Sequence, residues 1–276
     1  MATGTRLPGV LFFRLLIHNH SLVYQLVRRD FEQRYVGSIA GWIWGLIHPL
    51  VLLGVYTFVF AYAFQMRLPP EEATDSYPLF LFAGMLPWLL FSETVQRSSS
   101  SLVDYTSLIK KSVFPAEVVP LSIFLSTLIN HFLALLLLLT GVTIWLHQIG
   151  LAVLVLPLYL ILLGMFSLGL SWIAAGLHVY LRDTAQVLTV VLTAWFWLTP
   201  IFLFEEIFTK RFDGRLAVLL QINPLAYVVR GYRDTILGNQ FPAWSDLLTL
   251  AGFSIITFVL GGLFFRHAKR GFTDVL

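Results

Sequence analysis

Long apolar runs separated by short charged stretches organise this chain. Residues 35–66 hold no Asp, Glu, Lys or Arg, and 39–64 read IAGWIWGLIHPLVLLGVYTFVFAYAF. Residues 76–92 (SYPLFLFAGMLPWLLFS) form a second uncharged stretch, and in 118–181 a further 64 residues pass without a formal charge. At about 1.5 Å per helical residue, that last run is far too long for one crossing of a ~30 Å hydrocarbon core. It divides most naturally at the polar, glycine-containing His147-Gln148-Ile149-Gly150. Six helical spans are predicted, at 39–64, 78–97, 118–146, 151–178, 185–204 and 246–266, with Pro78 and Pro87 interrupting the second. Runs so uniformly apolar are membrane helices, because lipid offers backbone N–H and C=O groups no partners outside their own helix. The predicted class is therefore an all-α integral membrane protein.

Composition supports this reading. The 276 residues are 58% hydrophobic and 12% charged, with a mean hydropathy of +0.80, whereas soluble domains are about a quarter charged. Disordered, collagen-like and coiled-coil classes are excluded, and the absence of cysteine removes disulfide frameworks and cysteine–zinc sites. The net charge of +3 matters less than its distribution. With six spans both termini share a side, and that side carries twelve of the 18 Lys and Arg, counting Arg97 with the 98–117 loop. The excess predicts cytoplasmic N- and C-termini. No small-residue cleavage site follows a compact apolar stretch near Met1, so the first span is expected to stay uncleaved.

Four segments outside the spans carry information. Residues 8–36 are too mixed to span, and Leu15, Leu22, Tyr24 and Leu26 lie among Arg14, Arg28, Arg29 and Arg34. They predict an amphipathic helix in the cytoplasmic interface, where anchoring to anionic lipid and a substrate role are both open. Residues 98–117 predict a brief helix capped by Asp104 or Ser107 and stopped by Phe114-Pro115. Residues 180–183 (YLRD) form a tight turn. In 205–245, Asn223-Pro224 starts a helix that Gly238-Asn239 ends. That helix is too short and too charged to span, so it is predicted to be interfacial or re-entrant on the outer face.

Catalytic motifs are missing. The sequence holds no G-x-x-x-x-G-K-[ST], G-x-S-x-G, H-E-x-x-H or G-x-G-x-x-G. The seven histidines are scattered, and His18 and His20 fall on different sides of a helix, so no metal site is expected. The predicted spans hold only Glu93, Arg97, Asp246 and Arg266 as charged groups, all near helix ends, whereas a proton relay needs intramembrane acids. Gly37, Gly41 and Gly45 repeat every fourth residue, a spacing that lets helices approach closely; packing within the chain explains it, and a dimer contact is the alternative. Tyr56, Phe60 and Phe64 repeat likewise, with Trp42 near the same face. Trp88 and Trp195 lie in other spans. Most aromatics mark interfacial belts, but a minority on one face can line a passage, since apolar rings with polar edges suit sliding sugar rings.

Taken together, several motifs resemble one family. Val27-Arg-Arg-Asp-Phe-Glu-Gln-Arg-Tyr35, Gly41-Trp-Ile-Trp-Gly45 and Pro49 are similar to the opening of permease subunits of bacterial ABC-type (ABC-2-type) polysaccharide exporters. Tyr77-Pro-Leu-Phe, Ala83-Gly-Met-Leu-Pro-Trp88, Leu108-Ile-Lys-Lys, Phe114-Pro115 and Tyr180-Leu-Arg-Asp183 follow in the family's order. Asn223-Pro-Leu225, Gly231-Tyr-Arg233, Arg266 and Phe272-Thr-Asp-Val-Leu276 complete the series, so the resemblance covers nearly the whole chain. It departs at His48, which precedes Pro49 where an amide or acid is more familiar.

The resemblance implies a non-enzymatic, six-span half-transporter of the bacterial inner membrane that forms a homodimer. It pairs with two ATP-binding subunits, which carry ATP and Mg, and it exports lipid-linked polysaccharide: O antigen first, capsule next, teichoic acid precursors also in the family. Periplasmic export proteins are possible further partners, and no nucleic acid is expected. The resemblance assigns 8–36 to the interface helix by the loading site, where Arg28, Arg29 and Arg34 would hold a lipid pyrophosphate through planar bidentate donors. At helical spacing these three cannot all share one face. It assigns 104–115 to a coupling helix on the ATPase, with Asp104, Leu108, Ile109, Lys110, Lys111, Phe114 and Pro115 at the contact. It assigns 205–238 to periplasmic gate helices, with Asn223, Pro224, Tyr227, Arg230, Tyr232 and Arg233. The first, second and fifth spans would line the channel, with Trp42, Tyr56, Phe60, Phe64, Trp88 and Trp195 as candidate rings. Two other classes stay open: a membrane enzyme acting on polyprenyl-phosphate sugars, and an ion-coupled secondary carrier.

Overall fold

A computed structural model of the chain describes residues 20–69, 72–110, 114–147, 149–202, 204 and 217–275. The 8–19 part of the expected interface helix, Lys111, and the 205–216 part of the expected gate region lie outside the described residues. Within them every regular element is helical.

Helix α1 (His20–Tyr35) buries Val23, Leu26 and Asp30 and exposes its remaining charged residues apart from Arg34. Gly37 and Gly41 then take φ +77 and +53, a left-handed geometry open to glycine at no steric cost. A Cβ at either position would meet nothing. These two glycines therefore turn the chain, and only Gly45 is a close approach, since a Cβ there would lie 2.6 Å from Asn130 Oδ1. The four-residue glycine spacing is thus two turn residues and one packing residue.

The first long helix is composite: a 3₁₀ turn (Gly41–Ile43), α2 (Trp44–Thr57), then a π-helical turn (Phe58–Ala63). Helix α3 (Tyr77–Asp104) starts with Pro78, where a missing N–H costs nothing. Asp104 is its last residue and caps no following helix. The short α4 (Thr106–Ile109) comes next, without a side-chain cap. Helix α5 (Val118–Leu146) ends at His147, whose φ of +55 breaks the run. A 3₁₀ turn (Leu151–Val155) leads into α6 (Leu156–Tyr180). Then come α7 (Thr184–Leu198), α8 (Ala217–Ile222), α9 (Pro224–Ile236), α10 (Trp244–Ala268), a 3₁₀ turn (Lys269–Gly271) and α11 (Phe272–Val275).

Five helical stretches among the described residues are long and apolar enough to cross a membrane: Gly41–Ala63, Tyr77–Asp104, Val118–Leu146, Leu151–Tyr180 and Trp244–Gly271. The stretch predicted as a span over 185–204 is cut short. Helix α7 has 15 residues, about 22 Å at 1.5 Å per residue. Thr199 ends it in an extended conformation (φ −91, ψ 137), which is what the ring of the following Pro200 imposes.

Helix α3 is the centre of the bundle. It packs on α5, α6 and α9, and 72% of its most apolar stretch is buried, against 11% for Gly41–Ala63. The first long helix therefore leans on the bundle from outside. The tightest pair is α6 with α10, where backbone meets backbone. A Cβ at Gly169 would lie 2.4 Å from the Thr257 carbonyl oxygen, and one at Gly261 would lie 2.2 Å from that of Gly169. In lipid, where apolar side chains gain nothing by leaving the solvent, such close approach is a main source of helix association. At one end of this pair Lys269 Nζ binds both Glu117 oxygens at 2.8 and 2.9 Å, and Tyr180 OH donates to the Ala268 carbonyl at 2.7 Å.

Replacing Gly261 by Val should force these backbones apart and cost about 1–3 kcal/mol, the usual range for overpacking. Thermal melting of the detergent-purified protein should drop by several degrees. Gly252→Ala on the same helix, where nothing lies within 4 Å, should leave the melting point within a degree or raise it. Equal melting of the two variants would refute the contact.

Candidate functional site

A cavity of about 820 Å³ opens between α1, the first long helix, α3, α5 and α7. One end is ionic. Arg34, from the last turn of α1, places Nη1 2.7 Å from Glu93 Oε1 on α3 and donates from Nη2 to Thr127 Oγ1 on α5 at 2.7 Å. Its Nε lies 3.8 Å from Asp30 Oδ2. Asp30 in turn accepts from Arg97 Nη2 at 2.7 Å. Two guanidinium groups and two carboxylates thus tie α1 to α3 and α5. Next to them Tyr35 OH donates to Asn130 Oδ1 at 3.1 Å, and Gln96 Nε2 donates to the Ala185 carbonyl at 3.3 Å, joining α3 to the start of α7.

The other end is aromatic. Tyr56, Trp88, Phe196 and Trp197 line it, while Trp44 lines the cavity from the start of α2, beside the Gly45 that packs on Asn130 and Tyr35. Trp88 and Phe196 approach to 5.3 Å between centroids, and Tyr56 and Phe196 to 6.1 Å. Beyond them sits Phe202, in the segment that follows the break at Pro200. Tyr56 meets it edge-on at 4.7 Å, Phe60 stacks on it at 4.9 Å, and Trp197 stacks at 5.2 Å. The Phe202 carbonyl accepts from Tyr77 OH at 3.2 Å.

Helix α9 closes behind this aromatic group. Asn223 caps it, accepting from Leu225 N at 3.1 Å and from Trp195 Nε1 at 2.9 Å while donating to Thr199 Oγ1 at 3.0 Å. Arg233 is buried and donates to the carbonyls of Pro200 (2.8 Å), Ile201 (2.7 Å) and Phe80 (3.3 Å), with its guanidinium 3.5 Å from the Phe80 ring centroid. Pro200 and Ile201 follow the end of α7, outside any helix, so their carbonyls have no intrahelical partner and can accept from Arg233. Tyr232 OH pairs with His131 Nε2 at 3.1 Å, connecting α9 to the cavity wall. Arg230 pairs with Asp246 on α10. Pro224 is buried, and Tyr227 OH donates to the Gln221 carbonyl at 3.0 Å.

The sequence-predicted residues divide accordingly. Of the three arginines, only Arg34 lines the cavity; Arg28 pairs with Glu32 on the exposed face of α1, and Arg29 lies over the Tyr105 ring at 5.5 Å. Burial, reinforced by Asp30, pushes the Tyr105 phenol up from its ordinary pKa, so Arg29 faces a neutral ring. Of the six candidate rings, Tyr56 and Trp88 line the cavity. Trp42 sits in the 3₁₀ turn, half-exposed; Phe60 packs on Phe202, Phe64 is exposed, and Trp195 turns toward Asn223 and a smaller, apolar cavity. The π-turn explains part of this, since its i→i+5 bonds shift the register that a four-residue ladder assumes. In the short excursion between α3 and α5, Asp104 and Lys110 are exposed, Leu108 and Phe114 are half-buried, and Ile109 is buried in the chain's own core. Pro115 is half-buried. Sequence reasoning missed Trp44, Phe196 and Trp197; the dense Trp195-Phe-Trp197 run before Thr199-Pro200 was the available signal.

Membrane-length helices around a cavity with a polar end and an aromatic end define a polytopic membrane protein that can admit a solute between its helices. The chain belongs to the ABC-2 type transporter family, whose profile matches residues 21–237. It is 27% identical over 261 residues to the O-antigen export system permease protein RfbA of Myxococcus xanthus, covering 95% of this chain and 97% of that one. It is also 27% identical over 262 residues to an O-antigen export system permease protein RfbA of Klebsiella pneumoniae, with 92% and 95% covered. A polysialic acid transport protein KpsM of Escherichia coli is 23% identical over 258 residues, with 90% and 93% covered.

Because Asp30 is the carboxylate that answers Arg97, Asp30→Asn should destabilise the protein by about 3 kcal/mol, the cost of leaving one partner of a buried pair uncompensated. Arg97→Gln in the same chain should recover part of that loss. A double-mutant cycle on unfolding midpoints checks this, and strict additivity would show that the pair is not coupled.

Proposed function

We propose that this chain is the channel-forming permease subunit of an ATP-driven exporter that carries lipid-linked polysaccharide across a bacterial inner membrane. O antigen is the first candidate cargo and capsular polysaccharide the second. The cavity carries this reading. Its wall offers hydroxyl, amide and aromatic groups, which can meet a hydrated sugar along both its polar and its C–H surfaces. The names of the relatives point the same way.

In this reading α7 with its following turn is the sixth crossing, and both termini are cytoplasmic, as the Lys/Arg asymmetry supports. The chain acts as a homodimer in this reading, which is supported by the faces that flank the cavity: Val51, Val55, Val187 and Val190 are exposed on the first long helix and α7, and a second copy would cover them. The sequence has no nucleotide-binding motif, so two separate ATP-binding subunits hold ATP and Mg. They dock on the excursion around α4, where Asp104, Ser107 and Lys110 present polar surface. Arg28 and Arg29 meet the lipid pyrophosphate or headgroups at the cytoplasmic interface. Tyr56, Trp44, Trp88 and Trp197 contact passing sugars, and α9 with Phe202 and Phe60 closes the far end. At rest that closure keeps ions out.

Co-expression with the ATPase and assay in proteoliposomes test the assignment. Leu108→Glu should leave membrane insertion intact but reduce ATP-driven export at least tenfold; Ile109 is unsuitable because it supports the core. Export at the parental rate would remove α4 from the coupling path, and transport driven by an ion gradient without ATP would make the chain a carrier. The passage is tested separately by cysteine substitution in a chain with no native cysteine. Tyr56→Cys should react with a membrane-impermeant thiol reagent during turnover, at least fivefold faster than Phe58→Cys on the outward face. Equal rates would place Tyr56 outside the passage.

A further inference from the structure

The ionic end of the cavity has a property that neither the family nor its relatives' names specify: its fixed charges cancel. Among the described residues, the charged groups lining the cavity are Arg34, Glu93 and Arg97, and the carboxylate that completes them is Asp30, directly behind. Each guanidinium is engaged by a carboxylate at 2.7 Å. Counting imidazoles as neutral, the set sums to zero, and it does so for one copy or for two. The most exposed side chain of this set is negative: Glu93 is 39% exposed, against 29% for Arg97 and 11% for Arg34. The wall above holds Thr189, Thr193 and Asn130, and beyond them the aromatic end. Nearby cations are occupied elsewhere, Arg233 on backbone carbonyls and Arg230 on Asp246.

An acidic polymer carries a charge on each repeating unit. Inside a membrane-embedded cavity each charge loses solvation that scattered neutral hydroxyls replace only in part and fixed opposite charge replaces best, and like charge in the wall makes the loss worse. A neutral sugar needs only hydroxyl-matched partners and ring faces, which this wall supplies. We infer that the vestibule selects a polysaccharide whose repeating unit has no net charge and disfavours uronic- or sialic-acid polymers. This rests on the polysaccharide reading above and narrows it. The diphosphate of the carrier does not conflict with it, because Arg28 and Arg29 lie outside the cavity, on α1.

The test uses the full transporter with its ATPase in proteoliposomes. The probes are a neutral hexose oligosaccharide and a uronic-acid oligosaccharide of equal length, each on the same polyprenyl diphosphate. The parental complex should export the neutral probe at least tenfold faster. Glu93→Gln, which releases Arg34 from its partner, should narrow that ratio at least threefold, chiefly by speeding the acidic probe. Thr193→Lys adds a cation on an exposed part of the wall away from the ion cluster, so it provides the same test if the Glu93 variant does not fold. Equal export of both probes by the parental complex overturns the inference while leaving polysaccharide export standing. A parental preference that neither variant changes also overturns it, because selection then lies outside the vestibule. Export of neither probe under active ATP hydrolysis overturns the polysaccharide reading, and this inference with it.

Discussion

A guanidinium group carried into an apolar helical bundle has to be met by a carboxylate, and in this protein that requirement joins the parts. Arg34 lies in the last turn of α1 and Arg97 on α3, yet both charges converge on Asp30, and Arg34 also meets Glu93. Mutual attraction in a low-dielectric setting offsets desolvation only when geometry and remaining hydrogen bonds are good. Thr127 supplies one of those bonds from α5. The result is a floor: an amphipathic helix that would otherwise lie loosely at an interface is pinned across two membrane helices. The cavity exists above that floor because α1 cannot rotate away without separating two buried charges.

The opposite end is built on a different rule, the incompatibility of proline with a continuing helix. Pro200 stops α7, and the carbonyls this exposes are taken up by Arg233 of α9. The chain then folds Phe202 back onto Tyr56, Phe60, Phe196 and Trp197. A positive charge that contacts backbone carbonyls and an aromatic face is held without needing a mobile counter-ion. Phe202 and α9 are consequently one mechanical unit: its backbone is tied through Tyr77 to α3, and its neighbours are tied through Arg233 to α9. A motion that opens the aromatic end has to carry α9 with it.

How far the sequence revealed this varies with the physics of each element. Membrane helices are dictated by uniform apolarity, which is a property of composition, so charge-free runs located the bundle. The length of α7 was harder, because the apolar run continues through Thr199-Pro200 while the helix does not. Local proline geometry overrode hydropathy there. The glycines at 37 and 41 carry a spacing that suits helix packing, yet their positive φ makes them turn residues, and spacing carries no information on φ. Arg34 was legible as a functional candidate by type and context, but its partners lie 59 to 93 positions away or just upstream within α1. No local pattern encodes such pairings. The aromatic wall was half legible: Tyr56 and Trp88 face the cavity, while Phe60 lies within and Phe64 just after a π-turn that periodicity at 3.6 residues does not anticipate.

In the proposed transport role, the same long-range pairings bear on what the cavity would pass. Read singly, Arg34 and Arg97 suggest an anion site, and a basic residue at a cavity mouth is often taken that way. Read with Asp30 and Glu93, they are structural charges whose field largely cancels within a few ångströms, since opposite charges at contact distance act on a third group mainly as a dipole. Adding a second copy doubles the dipoles without adding net charge. Affinity for a moving polymer is then left to weak, repeated contacts with hydroxyls and rings, none strong enough to arrest it. For a substrate that must slide, a wall whose charges satisfy each other is an advantage, because the interactions that hold the floor in place are not available to hold the cargo.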